Sequence, residues 1–181
     1  SCSNLGTNTV TLTVYDGSGN FSTAQATVTV VEDIAPVAQA QDITVYLDAM
    51  GQATITAEDV NNGSSDNCGI ASMSVNPNNF SCSNLGTNTV TLTVYDGSGN
   101  FSTAQATVTV VEDIAPVAQA QDITVYLDAM GQATITAEDV NNGSSDNCGI
   151  ASMSVIPNNF SCSNLGTNTV TLTVYDGSGN F

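Results

Sequence analysis

The sequence predicts an all-β fold, and three observations support this prediction. Apolar residues alternate with polar ones in several short segments, whereas the apolar spacing of three and four residues that is typical of helices does not recur. The polar positions of these segments are mostly Thr, Ser and Tyr, which suit a solvated strand face. Stretches rich in Gly, Asn, Asp and Ser separate the segments and are typical of turns.

The chain is built from an internal repeat. Residues 1–101 recur as residues 81–181, and the single difference is Asn76, which becomes Ile156. The period, roughly 80 residues, is too long for one turn of a solenoid and suits a small independent domain. The sequence Glu-Asp-Ile-Ala-Pro follows a strand pattern at residues 32–36 and 112–116. Because proline lacks a backbone N–H, we interpret both segments as linkers or edge strands.

These two segments divide the chain into three predicted parts. Residues 1–32 are the C-terminal part of a repeat domain, residues 33–112 a complete domain, and residues 113–181 a domain lacking its last strand.

Alternation of apolar and polar residues in the complete domain predicts five groups of core residues. They are Ile43, Val45 and Leu47; Ala53, Ile55 and Ala57; Ala71, Met73 and Val75; Val90, Leu92 and Val94; and Ala106, Val108 and Val110. Two sheets packed over this core predict tandem immunoglobulin-like β-sandwich domains.

The charge of the chain excludes several classes of function. It contains 17 acidic residues and no Lys, Arg or His, which gives a formal charge of -17. Nucleic acids and anionic membrane surfaces are bound through cationic side chains, so we expect neither as a partner. Acid–base catalysis near neutral pH usually uses His, and anionic substrates are usually held by Arg or Lys. We therefore expect no enzyme, and the remaining catalytic alternative is a hydrolase with a carboxylate pair such as Glu58 and Asp66.

Five cysteines, Cys2, Cys68, Cys82, Cys148 and Cys162, suggest covalent crosslinks in a domain whose core is small. Cys68 and Cys82 are close in sequence, and Cys148 and Cys162 have the same spacing. We predict that each of these pairs bonds within its own domain, which would stabilise it by roughly 3 kcal/mol. Such bonds indicate an oxidising, extracellular compartment. The alternatives are reduced structural cysteines or a zinc site, although two thiols per domain without His form an incomplete ligand set.

Acidic and amide side chains gather in the predicted linkers, loops and turns. If these segments meet at one end of a domain, carboxylates ~4 Å apart repel by about 4 kcal/mol at an effective dielectric constant of 20. No cationic side chain is present to relieve this repulsion, and calcium accepts about six to eight oxygen ligands in irregular geometry. The predicted calcium ligands are Glu32, Asp33, Glu58, Asp59, Asn61, Asp66, Asp96, Ser98, Asn100, Glu112, Asp113, Glu138, Asp139, Asp146 and Asp176. The alternative is that these segments are ordinary polar loops.

Several motifs of the repeat unit resemble those of a known family. Asp66-Asn67-Cys68-Gly69 and the segment Asp-Gly-Ser-Gly-Asn at residues 96–100 are the most specific of them, and a closing Thr-Val-Thr-Val follows. The whole unit resembles the hyalin-repeat (HYR-like) domains of secreted bacterial surface and adhesin proteins. The resemblance implies an immunoglobulin-like sandwich with an extracellular or adhesive role and no catalytic site. Many relatives join their first and last strands by a second cysteine pair, whereas Ala40 and Ala104 stand at the corresponding positions here.

The sequence therefore predicts an extracellular structural protein. We expect a calcium-stiffened stalk or filament of tandem repeats, in a surface fibre, an adhesin or a biofilm matrix, whose partners are neighbouring identical repeats. The alternative is a surface that binds glycans or ice through rows of threonine. These rows comprise Thr89, Thr91, Thr93, Thr107 and Thr109. Sequons at Asn62, Asn79 and Asn100 permit N-glycosylation.

Overall fold

The computed structural model describes all residues, 1–181, and it is mostly β-structure, which confirms the all-β prediction. The strands in chain order are β1 (Gly6–Tyr15), β2 (Phe21–Val30), β3 (Ile43–Tyr46), β4 (Gln52–Thr54), β5 (Ile70–Asn76), β6 (Asn79–Ser81), β7 (Gly86–Asp96), β8 (Phe101–Val111), β9 (Gln132–Thr134), β10 (Ile150–Ile156), β11 (Asn159–Ser161) and β12 (Thr171–Asp176). The helical elements are α1 (Ala57–Val60), α2 (Ala137–Val140) and three 3₁₀ turns at Cys2–Asn4, Cys82–Asn84 and Cys162–Asn164.

The strands of residues 33–112 form one larger sheet and one smaller sheet. The larger sheet has the order β3-β8-β7-β5, and β4 pairs with β6 in the smaller one. Strands β3 and β8 are parallel, with Ile43 opposite Val108. Strands β5 and β7 are antiparallel, with Val75 opposite Leu92. Parallel neighbours require a long connection, and nearly the whole repeat lies between β3 and β8.

Alternate residues of β7 and β8 form the core that the sequence pattern predicts. Val90, Leu92 and Val94 of β7 and Val108 of β8 have no exposed surface. Complete burial of an aliphatic side chain of this size contributes about 2 kcal/mol. The polar residues between them point to the opposite face, as expected for a period of two.

The same sequence is buried in one repeat and exposed in another. Val10, Leu12 and Val14 of β1 correspond to the core valines and leucine of β7, yet they are 46%, 64% and 55% exposed. Strand β7 lies between β8 and β5, whereas β1 pairs only with β2. The burial of these residues therefore depends on neighbouring strands rather than on the local sequence.

Two short helices are a feature that alternation did not predict. The backbone N–H and the hydroxyl of Thr56 both donate hydrogen bonds to Oδ2 of Asp59, at 2.7 and 2.8 Å. This arrangement resembles a capping box, in which an acidic side chain in the first turn stabilises the start of a helix. Thr136 and Asp139 repeat these two bonds in α2, at 2.7 and 2.8 Å. Ala57, which the alternation assigns to a strand with Ala53 and Ile55, therefore begins a helix instead.

The chain folds into two compact units. The first comprises residues Ser1–Asp42, Thr56–Pro77 and Thr89–Ala106, and the second comprises Ile43–Ile55, Asn78–Asn88 and Thr107–Phe181. Strands β1, β2 and β5 and helix α1 lie in the first unit. Strands β3, β4, β6 and β9 to β12 and helix α2 lie in the second. Each disulfide bond described below joins two residues of the same unit.

The disulfide bonds differ from the predicted pairing. Cys2 is bonded to Cys68, and Cys82 is bonded to Cys148, each pair being 66 residues apart in sequence. Cys162 is free and exposed. The predicted bonds from Cys68 to Cys82 and from Cys148 to Cys162 are therefore wrong. With the predicted boundaries, Cys2 and Cys68 lie in neighbouring parts of the chain, as do Cys82 and Cys148, and we refer to these two bonds as the bonds between repeats.

Strand geometry explains why the cysteines within one repeat do not meet. Strand β5 follows Cys68 and extends over seven residues, a distance of about 23 Å. Strand β6, which precedes Cys82, has three residues, and it pairs in a different sheet. Even if it ran straight back, it would recover less than half of that distance. A disulfide bond requires Cα atoms within roughly 7 Å of each other, so the two cysteines stay apart.

Candidate functional site

Three carboxylates from distant parts of the sequence meet in the second unit. Oxygen atoms of Glu112, Asp146 and Asp176 lie within 4.8 Å of one another, and we refer to these residues as the carboxylate cluster. Glu112 belongs to the linker, Asp146 to the Asn-rich loop and Asp176 to the segment Asp-Gly-Ser-Gly-Asn. Glu112 and Asp176 are only 5% and 4% exposed, and Asp146 is half-buried. These are the three kinds of segment whose convergence the sequence suggested.

Glu112 and Asp146 are held in place by the backbone of their own segments. Oε1 of Glu112 accepts a hydrogen bond from the backbone N–H of Ile114 at 2.6 Å. Oδ2 of Asp146 accepts one from the backbone N–H of Cys148 at 2.8 Å. In both cases the donor lies two residues further along the chain, a pattern typical of Asx-type turns. One oxygen of each carboxylate fixes the local loop, which leaves the second oxygen free for other contacts.

Asp176 ends strand β12 and organises the turn that follows it. Its Oδ1 accepts hydrogen bonds from the backbone N–H groups of Ser178, Gly179 and Asn180, at 2.9, 2.7 and 2.8 Å. The side-chain amide of Asn180 donates to Oδ2 of Asp176 at 2.7 Å and to Oε2 of Glu112 at 3.1 Å. Asn180 thus connects two members of the carboxylate cluster.

The pKa of Asp176 lies below its ordinary value. Burial raises this pKa, but the hydrogen bonds from the side chain and backbone of Asn180 and from the backbone of Gly179 outweigh burial, and the contact with Glu112 lowers the pKa further. Asp176 therefore keeps its negative charge at neutral pH, although its side chain is buried.

One oxygen of the carboxylate cluster has no hydrogen-bond partner. Oδ1 of Asp146 is buried and unpaired. A buried polar atom without a partner costs about 1–3 kcal/mol, and more when the group is charged. The chain has no Lys, Arg or His to supply a compensating charge. A hard cation fits this donor set, because carboxylate oxygens are ligands that calcium prefers.

The same contacts recur in the first unit. The side-chain amide of Asn100 donates to Oδ2 of Asp96 at 2.6 Å and to Oε2 of Glu32 at 3.1 Å. Oδ2 of Asp66 accepts the backbone N–H of Cys68 at 2.7 Å, and Oδ1 of Asp66 is again buried and unpaired. Burial raises the pKa of Asp96, but the bonds from Asn100 and the contact with Glu32 outweigh burial and lower it.

The other predicted ligands have different surroundings. Asp59 and Asp139 accept the hydrogen bonds that begin α1 and α2, and these bonds, first from the Thr56 and Thr136 backbone and then from their hydroxyls, lower the pKa of each carboxyl. Oδ1 of Asn61 accepts the backbone N–H of Ser64 at 3.0 Å. The remaining predicted ligands are exposed, namely Asp33, Glu58, Ser98, Asp113 and Glu138.

The bond between Cys82 and Cys148 lies against a tight turn. Gly51 is buried with a φ of +70°, and a Cβ atom at this position would lie 2.6 Å from Sγ of Cys82 and 2.9 Å from the carbonyl oxygen of Asn147. The side-chain amide of Asn147 donates to the backbone oxygen of Asp48 at 3.0 Å. All of these residues belong to the second unit. The loop that carries Asp146 and Cys148 therefore packs on the turn at residues 48–51 of the preceding repeat.

Sequence reasoning missed Gly51 and Asn147. Nothing in the segment Asp-Ala-Met-Gly at residues 48–51 indicates that Cys82 and the backbone of Asn147 pack against its glycine. Asn147 belongs to the second copy of the motif Asp66-Asn67-Cys68-Gly69, and the motif alone does not indicate this contact. Its function depends on a contact between repeats, which local patterns do not report.

Comparison with known proteins does not assign the chain to a family: no family model matches it, and a search of curated proteins finds no match. The helices of the structure are too short to cross a membrane. The two disulfide bonds indicate an oxidising environment.

Proposed function

We propose that the chain is a segment of a secreted, extracellular structural protein, a stalk or filament of tandem immunoglobulin-like, HYR-like domains. The observation that carries this proposal is the bond between Cys82 and Cys148, because with the proposed boundaries it connects one near-identical repeat to the next. Residues 33–112 and residues 113–181 are proposed to be successive domains of the series. A protein that only displayed independent modules would not need a covalent bond between neighbours in addition to the peptide linker.

The strand pairing supports the immunoglobulin-like assignment. The sheet β3-β8-β7-β5 and the pair β4-β6 provide two sheets, and the side chains of β7 and β8 that face inward are aliphatic. Two sheets over an aliphatic core are the architecture of an immunoglobulin-like sandwich. In this proposal β3 and β8 are the first and last strands of one domain and lie side by side.

Calcium is the proposed cofactor. Glu112, Asp146 and Asp176 would hold the ion, and Asn180, which already contacts two of them, has a carbonyl oxygen that could serve as a fourth ligand. The ion would supply the positive charge that the sequence lacks. Because Glu112 lies in the linker and Asp146 and Asp176 lie in the following repeat, an ion held by all three would restrict motion of the linker.

The proposed partners are neighbouring repeats, in one long chain or in several chains associated side by side. The chain lacks the His, Lys and Arg residues on which most catalytic sites depend, which supports a structural rather than an enzymatic function. A surface fibre, an adhesin and a biofilm matrix are all compatible with this proposal.

Immunoelectron microscopy of producing cells tests the structural function. Antibodies raised against this chain should label filaments outside the cell, at regular intervals along their length. Labelling confined to the cytoplasm would contradict the proposal.

Small-angle X-ray scattering of the chain tests the cofactor: calcium should reduce the flexibility of the chain and a chelator should restore it, with magnesium as the matched control. Scattering curves that are the same under all three conditions would contradict the calcium site.

A further inference from the structure

The pairing of the cysteines changes the covalent path through the chain. From Cys2 the shortest covalent route crosses a disulfide bond to Cys68, follows the backbone to Cys82, and crosses a second bond to Cys148. Each bond joins cysteines that are 66 residues apart in sequence and bypasses the residues between them. Only the short backbone segment from Cys68 to Cys82 is needed to connect the two bonds.

Tension along a chain is carried by its shortest covalent path once that path is taut. The residues inside each bypassed loop are then not extended, even when their strands separate. The first loop contains β1 to β4, and the second contains β7 to β9, including the two strands that supply most of the buried core residues, β7 and β8. The path that remains comprises mainly β5 and β6 with the turn between them.

The pairing expected from sequence would have the opposite mechanical result. Bonds from Cys68 to Cys82 and from Cys148 to Cys162 would bypass only the short segment between those cysteines and leave the remainder of each repeat under tension. The path through one unfolded repeat would then be roughly 220 Å long when taut, because an extended residue spans about 3.4 Å. The observed pairing shortens this path to roughly 50 Å for each repeat.

We propose that the disulfide bonds between repeats limit the extension of the array, because an unfolded repeat can be stretched to roughly 50 Å and no further while the bonds are intact. This tension-carrying function rests on the proposed structural function, whereas the bypass itself rests only on the cysteine pairing. Substantial length would be released only by reduction of the bonds, in which an external dithiol is oxidised to a disulfide as each protein disulfide becomes two thiols.

Single-molecule stretching of the whole chain between handles at its two ends tests this inference. The chain should carry Cys162→Ser, so that the free thiol cannot exchange with either bond. About 50 of the 181 residues lie on the shortest path, so the oxidised chain should reach a contour length of ~180 Å. After reduction it should reach ~600 Å, more than three times as far.

A double variant, Cys82→Ser with Cys148→Ser, provides the matched comparison in the same background. It should be longer than the oxidised parent by ~220 Å, the length of one bypassed loop. Contour length is measured on the stretched, unfolded chain, so the comparison is valid even if the variant folds poorly. An oxidised parent that extends to ~570 Å, the length that a single bond from Cys68 to Cys82 would allow, would overturn the inference. A double variant with no added length would overturn it as well. If the lengths agree but no extracellular filament is found, the bypass stands and the proposed function fails.

Discussion

Asp146 and Cys148 connect the carboxylate cluster to the disulfide bond between repeats. Oδ2 of Asp146 accepts the backbone N–H of Cys148 at 2.8 Å, and Cys148 is bonded to Cys82 of the preceding repeat. The other oxygen of Asp146 is buried without a partner. One short loop therefore positions both a candidate cation ligand and a crosslink, so a change at either should affect the other.

Replacing the unpaired carboxylates should remove the response to calcium. We expect calcium to raise the melting temperature of the parent, since a ligand at one hundred times its Kd stabilises the folded state by about 2.7 kcal/mol. The double variant Asp66→Asn with Asp146→Asn should lose most of this increase. Asp113→Asn, at an exposed linker position, is the matched control and should retain it. Calorimetry in calcium and in chelator measures the difference, and equal increases in all three proteins would contradict the site.

Removing one bond between repeats should destabilise the chain. The loop closed by Cys82 and Cys148 spans 66 residues, and the chain-entropy relation gives a stabilisation of about 4 kcal/mol for a loop of this size. Cys82→Ser with Cys148→Ser should lower the unfolding free energy by this order, as measured by denaturant titration of the oxidised proteins. Cys162→Ser, which removes only a free thiol, should leave it unchanged. A double variant as stable as Cys162→Ser would show that the bond adds nothing.

Gly51→Ala tests the close packing of the turn on the disulfide bond. Alanine at a φ of +70° is strained by about 1–2 kcal/mol, and its Cβ atom would also crowd Cys82 and Asn147. Gly63→Ala is the matched control, because Gly63 has a φ of +79° with no atom within 4 Å of the added Cβ. Gly51→Ala should cost about 1–3 kcal/mol more than the control, the usual effect of overpacking. Equal losses of unfolding free energy in the two variants would show that the turn is not packed as described.

Acid should remove the contribution of the helix-capping carboxylates. Hydrogen bonds from the backbone and then the hydroxyl of Thr56 lower the pKa of Asp59 below its ordinary value of 3.8, and Thr136 does the same for Asp139. A carboxyl whose folded pKa is depressed contributes stability above its unfolded pKa, and the contribution is lost as pH falls through the folded pKa. Asp59→Asn with Asp139→Asn should thus be less stable than the parent at pH 7. The difference should shrink below pH 3.8, and a difference independent of pH would contradict the assignment.

The sequence was sufficient to predict the strands of the complete repeat but not the extent of their burial. Alternation identified Val90, Leu92 and Val94 as core residues, and they are fully buried. Identical residues in β1 are exposed because β1 has only β2 as a neighbour. Helix α1 was missed because Ala57 continues the alternation of Ala53 and Ile55, whereas the helix begins at a cap formed by Thr56 and Asp59.

The cysteine pairing could not be obtained from spacing. The short interval between Cys68 and Cys82 favoured a local bond, but a strand between two cysteines separates them, and four cysteines already allow three pairings. The expectation that the linker, the Asn-rich loop and the Asp-Gly-Ser-Gly-Asn turn meet at one end of a domain was a better basis for prediction. It brought Glu112, Asp146 and Asp176 into one group. Asp59 is a predicted ligand with a different function. Its carboxylate accepts hydrogen bonds from the backbone N–H and hydroxyl of Thr56 and stabilises the start of α1.

Non-reducing peptide mapping tests the bonds between repeats most directly. A protease that cleaves before Asp releases residues 1–15, 66–95 and 146–175, which contain all five cysteines, and the change from Asn76 to Ile156 distinguishes the two longer peptides by mass. After alkylation of the free thiol, we expect one species in which all three peptides are linked by two disulfide bonds. Residues 66–95 released alone with an internal bond, beside an unlinked peptide 1–15, would contradict the pairing between repeats.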